Sequence, residues 1–150
     1  MKGVLLWIFT LFTFTAIATI KVISQDPLAD FKWQHRLLIT QLDTENELHQ
    51  LREQIHYHSS DISTRKLLML VRIKDKTWIV DALTIQSVSP LLSLEVLNII
   101  NQNLNKVLLI GLDGGIKHRY PTQTFNLQQV FNHIDLMPMR RGETDRKVSN

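Results

Sequence analysis

His49, Glu53 and His56 recur at i, i+4 and i+7, a spacing that sets two imidazoles and a carboxylate on one helical face and could ligate a metal ion. On a helical wheel that face lies over a quarter-turn from Leu48, Leu51 and Ile55. The pattern therefore also describes a solvated helix face, and a metal would need a closing ligand that His58 does not obviously supply. Arg140 and Arg141 offer a second chemistry. Their planar forks could grip a carboxylate, a phosphate or a sulfated glycan, or pair internally with Asp135, Asp113 or Glu143. Asp113 and Lys117 suit a turn and a guarded edge strand, and with the two arginines they make up the candidate interaction surface. Asp43, Glu45 and Glu47 could act as a general base. The positive end of a helix keeps such carboxylates charged, which suits proton transfer near neutrality poorly. Trp33, Trp78 and Tyr120 fit core or rim packing better than a sugar platform.

The 150 residues include no cysteine, which excludes thiol catalysis, disulfides and thiolate metal sites. Gly-x-Ser-x-Gly, phosphate-binding glycine loops and a Ser-His-Asp order are absent as well. No catalytic residue and no cofactor is expected. Met1-Lys2-Gly3 followed by the apolar stretch Val4 to Ala18 reads as a signal peptide over residues 1–24, with cleavage after Ala18 or Ser24. The alternative is an uncleaved anchor, since the 17 positions from Val4 to Ile20 are at the lower limit for a hydrocarbon layer of ~30 Å. Without Lys2 and Lys21 the 17 basic residues become 15 against 14 acids, so the pI gives no argument for nucleic-acid binding. The expected location is periplasmic or secreted, or anchored if the front segment stays.

The elements that must position these residues follow from periodicity and turn chemistry. Residues 25–35 read as an extended lead-in. Arg36 to Thr40 and Lys66 to Arg72 read as buried strands. Thr44-Glu45-Asn46-Glu47 is a capping box opening a helix from Glu45 to about His58, broken by Ser59-Ser60-Asp61. Two strands separated by a helix predict a parallel pair with a right-handed crossover. Lys74-Asp75-Lys76 suggests a turn, followed by a short extra strand at Thr77 to Val80. Ser89-Pro90 opens a second helix. Val107 to Ile110 is a third strand, and Asp113-Gly114-Gly115 turns it into the edge strand Ile116 to Tyr120. Asn126 opens a last helix that ends before Pro138, and residues 144–150 read as a disordered tail. The order β-α-β-α-β-β-α predicts an α/β, thioredoxin-like three-layer fold over residues 36–143, with a four-stranded mixed sheet and helices on both faces. Where thioredoxin-like enzymes carry their thiol, at the first strand-to-helix junction, this chain has Asp43 to Glu47. Asn103-Leu104-Asn105-Lys106 stands where they carry a cis-proline.

Leu109-Ile110-Gly111-Leu112-Asp113-Gly114-Gly115-Ile116-Lys117 and Ile134-Asp135-Leu136-Met137-Pro138-Met139-Arg140-Arg141-Gly142-Glu143 resemble the signature of the DUDES-type domain of unknown function. Phe31-x-Trp33-x-x-Arg36 and Arg65 look like its pattern too, and the resemblance runs from about Leu28 to Glu143. It departs at Leu112, where a lysine is usual, at Lys66, where an acid is usual, and at Gly142, where a polar side chain is usual. The resemblance implies a thioredoxin-like fold and an exported setting, as in small exported bacterial proteins and vertebrate extracellular-matrix proteins, and brings no catalytic residues. The function expected is a non-catalytic exported binding module whose partner is an envelope or extracellular protein or glycan. Nucleic acid is not expected as a partner, and a membrane only if the front segment is uncleaved. The alternative is an enzyme of thiol-oxidoreductase descent with non-thiol chemistry at Asp43, Glu45 or Glu47.

Overall fold

The computed structural model describes residues 26–81 and 83–148, so the expected signal peptide and its cleavage sites lie outside the described residues. Leu37, Leu38 and Ile39 make a strand covered on both faces because three consecutive apolar residues leave neither face for water. This strand is β1, Arg36–Leu42. It lies parallel to β2, Leu67–Ile73, with Leu38 opposite Met69. On its other side β5, Lys106–Ile110, runs antiparallel, with Leu38 opposite Leu109. β6, Ile116–Pro121, pairs antiparallel with β5. These four strands match the four expected. The sheet nevertheless has six strands, in the order β4-β3-β2-β1-β5-β6. β3, Lys76–Val80, is the short extra strand that the sequence suggested, and β4, Ile85–Ser87, pairs with it. A hairpin inserted between β2 and the next helix thus widens the sheet at the β2 side.

Helix α1, Glu45–Tyr57, begins at the expected capping box. Ser59-Ser60-Asp61, read as a break, instead starts α2, Ser59–Thr64. The chain bends at His58 and resumes helical pairing, with the Ile62 N–H donating to the His58 carbonyl at 3.0 Å. Ile62 is buried, which gives this short helix its tertiary support. Helix α3, Pro90–Asn101, has Ser89 as N-cap and Pro90 in its first turn, and α4, Leu127–Asp135, is capped by Asn126. Pro138 does not end the fold. It opens α5, Pro138–Val148, so residues 144–148 continue a helix where a disordered tail was expected. The lead-in is compact rather than extended: Ala29–Phe31 form a 3-10 helix, and Leu28 is buried.

The strands alternate their side chains between two apolar layers. Leu38, Met69, Val71, Leu109 and Tyr120 pack with Leu48, Ile55, Ile62, Val130 and Phe131 of α1, α2 and α4. Leu37, Ile39, Leu70, Leu108 and Ile110 pack on the opposite side with Leu92, Val96 and Ile100 of α3 and with Leu28. The arrangement is a mixed sheet between helices.

Candidate functional site

β1 delivers the chain at Leu42 to a helix start whose backbone donors need acceptors. Thr44 takes an extended conformation, and its hydroxyl accepts the Glu47 N–H at 3.3 Å. Glu47 reaches back as expected, but its carboxylate accepts the N–H of Asp43 at 2.9 Å, one residue beyond the cap. Glu47 is thereby tied to holding the turn, whereas the Asp43 side chain is exposed.

Two clefts flank this turn. One, of about 320 Å³, has an apolar floor that includes Leu42, Val107, Ile100 and Phe125, and a polar rim that includes Asp43 and Lys106. The other, of about 380 Å³, lies between the turn and the β2–β3 hairpin and is lined by Ile73, Lys74, Lys76 and Trp78. Asp43 lines both. β3 and β5 run antiparallel to β2 and β1, so their starting residues lie beside the ends of β1 and β2. The concavity therefore follows one edge of the sheet. α1 and α3 rise from this edge on opposite faces, which opens a crevice outside the carboxyl end of β1, as at the switch points of open α/β sheets. Asn105, at the crevice wall, has a left-handed backbone, φ 56°. Its carbonyl accepts the Thr122 N–H at 3.1 Å, which ties the α3–β5 loop to the segment after β6.

The other residues singled out by type and spacing lie elsewhere. Arg140 is 8% exposed. Its Nη1 donates to the Thr64 carbonyl at 2.6 Å, and its guanidinium lies 3.5 Å from both Asp135 and Glu143. This is internal pairing that caps the end of α2. Arg141 is exposed. Asp113 and Lys117 pair with each other at 2.6 Å, and the Gly115 N–H donates to Asp113 at 3.1 Å. The Lys117 hydrogen bond and then that N–H hold the Asp113 carboxyl below its ordinary range. His49, Glu53 and His56 are exposed along α1, and among the described residues no group of three or more His, Cys, Asp or Glu is placed to hold a metal ion. Trp33, expected to pack, is 64% exposed. Its backbone is left-handed, φ 66°, and its N–H donates to the Leu112 carbonyl at 2.7 Å. Trp78 packs against the core and Tyr120 is buried within it.

Two constellations were not legible beforehand. Arg36 is 1% exposed at the start of β1. Its Nη1 donates to the Arg65 carbonyl at 2.9 Å and to Glu143 at 3.3 Å, while Nε and Nη2 are buried with no partner among the described residues. Arg65 closes a fork on Asp135 at 3.0 and 2.7 Å, bonds Asp61 at 2.8 Å and lies over the Phe131 ring at 4.8 Å. At the far edge of the sheet, His118 and His133 stack at 4.2 Å, and the Tyr120 hydroxyl lies 2.8 Å from Nδ1 of His133. Burial pushes the Tyr120 hydroxyl up to about 12. His118 is exposed, and partial desolvation, then the charge of His133, pull it below its ordinary value. Alternation along β6 had placed His118 and Tyr120 on one face, but their partner on α4 could be found only once the helix was docked.

Comparison with known proteins adds a family and no activity. Neither a curated protein nor a solved structure matches the chain. The sequence profile described as Domain of unknown function (DUF4174) matches residues 27–143. The chain belongs to that family.

Proposed function

We propose that this member of the DUF4174 family is an exported, non-catalytic, thioredoxin-like domain that binds a partner through the groove at the start of α1. The reading rests on one observation: the turn between the two clefts is a capping box whose Thr44 and Glu47 are committed to the backbone. A thiol enzyme would carry its nucleophile at this place, and the chain has no cysteine to put there. The four strands β2-β1-β5-β6, with one parallel and two antiparallel pairs and helices on both faces, support the thioredoxin-like assignment. The β3–β4 hairpin is then an addition to that core. The apolar stretch ahead of residue 26 supports export.

The same clefts give the enzyme reading its footing, because a general base needs a concavity, and Asp43 lies at the junction of the two. Asp43 is exposed, however, and has no hydrogen-bonded group to orient its carboxylate among the described residues, which leaves it poorly placed for proton transfer. The turn is therefore better suited to binding than to proton transfer. The interface moves from Arg140, whose guanidinium is engaged internally, to the groove.

Photo-crosslinking in the host tests this. A benzophenone side chain is placed at Leu104, which lines the groove and is 65% exposed, and in a second variant at His49 on the outer face of α1. The expected result is a discrete adduct from position 104 that Phe125→Asp abolishes, with none from position 49. Adducts from position 49 alone, or none from 104, would overturn the proposal.

A further inference from the structure

Five strand ends contribute to the groove. Thr122 and Phe125 follow β6, Lys106 and Val107 start β5, Thr40 to Leu42 end β1, Ile73 ends β2, and Lys76 and Trp78 belong to the start of β3. Four inter-strand gaps of ~4.8 Å give a path of about 19 Å across the sheet edge, which an extended chain rising ~3.3 Å per residue covers in about six residues. A compact small molecule would occupy one cleft and leave the other empty, whereas an extended chain uses both.

The charges along this path alternate. Lys106 stands at the β5 end, Asp43, Glu45 and Glu47 in the middle, and Lys74 and Lys76 at the hairpin end, where Asp75 leaves one net positive charge among those three residues. Among the described residues, the side chains of Lys106, Asp43, Lys74 and Lys76 take part in no salt bridge and no hydrogen bond, unlike those of Lys32, Lys66 and Lys117, which are each within ion-pair distance of an acid. Phe125 and Trp78 provide an aromatic surface toward each end of the path. An apolar floor in the β5-side cleft, an aromatic surface toward each end and a plus–minus–plus rim are complementary to one kind of chain.

We infer that the groove takes an extended peptide segment of a partner protein, with a basic side chain at its centre against Asp43 and Glu47 and acidic side chains toward its ends. This rests on the groove being the binding face. Fluorescence polarisation on the protein purified from its host tests it with a labelled, end-capped hexapeptide that has an acid at each end, one central arginine and leucines between. The control is its charge-reversed twin, with a lysine at each end and a central glutamate. The first peptide should bind tighter by about tenfold, the order that three exposed charge contacts turned from attraction to repulsion give, and Asp43→Lys, which turns only the central contact, should shrink that preference to about twofold. Equal binding of the two peptides, binding of neither at millimolar concentration, or a preference undiminished by Asp43→Lys overturns the inference. If the Leu104 adduct forms and the peptides show no preference, this inference alone falls. If the adduct also fails, the binding proposal falls with it.

Discussion

Arg140 and Arg141 are neighbours of the same type with opposite environments, one buried against Thr64, Asp135 and Glu143, the other exposed. Arg140→Ala should lower unfolding stability by about 2–3 kcal/mol, because it leaves charged and carbonyl acceptors under-satisfied. Arg141→Ala should change it by less than about 0.5 kcal/mol. Urea denaturation of the pair checks both values, and equal effects would contradict the placement of Arg140. A second residue-scale expectation concerns pH. His118 is held below its ordinary 6.5 by partial desolvation and the charge of His133, and His35 by burial and the charge of Lys66. The unfolded chain then binds these protons more readily than the folded one. Their contribution to stability is full above pH 6.5 and is lost as pH falls toward the folded values. Asp26 and Asp113, held low by Lys32 and Lys117, add a separate loss at lower pH, beginning below the ordinary carboxylate value. Thermal unfolding midpoints should decline from pH 7 to pH 5, and the double variant His35→Gln, His118→Gln should flatten that decline. Residue type alone could not separate Arg140 from Arg141, because their difference lies in what α2 and α4 bring within reach.

Elements were legible where one physical cause dominated. Leu67 to Val71 could only be a covered strand, and Thr44 with Glu47 could only be a helix start, so β1, α1 and β2 followed together. Thr44→Ala should cost about 1 kcal/mol, read by chemical denaturation, and loosen the turn that separates the clefts. No loss would mean that the cap is not holding the junction. Where a residue has two structural uses, reading failed. Pro138 reads as a stop, yet proline also suits a first helical turn, where its missing N–H is not needed, and α5 begins there. Ser59-Ser60-Asp61 resembles a breaker and is equally N-terminal helix chemistry, and buried Ile62 decides between them. β4 spans only Ile85, Gln86 and Ser87 and exists because β3 offers it an edge, a fact about pairing and not about those three residues. The groove was half legible in the same sense. Its central turn could be read from four adjacent residues, but its concavity depends on Asn105, Thr122, Phe125 and Trp78, which only the folded chain brings to one edge.

At the scale of the whole molecule, one sheet separates two apolar layers and leaves its β1-terminal edge open between α1 and α3. Leu70, fully buried in the α3 layer, is a measure of that construction: Leu70→Ala should destabilise by about 2–5 kcal/mol. Calorimetric unfolding checks it, and a cost below that range would indicate a layer that relaxes. The opposite edge, by contrast, is closed by Arg36, Arg65, Arg140, Asp135 and Glu143 acting on one another. Among the described residues one end is thus tied to itself and the other is uncovered, and the central claim is that the uncovered end holds a partner without transforming it. The most direct test is to incubate the purified protein with the partner captured at position 104, then measure the mass and the bound fraction of that partner over time. The account predicts an unchanged partner mass and a complex that persists and is weakened by Asp43→Lys. A partner whose mass changes with turnover, in a reaction abolished by Asp43→Asn, would contradict it.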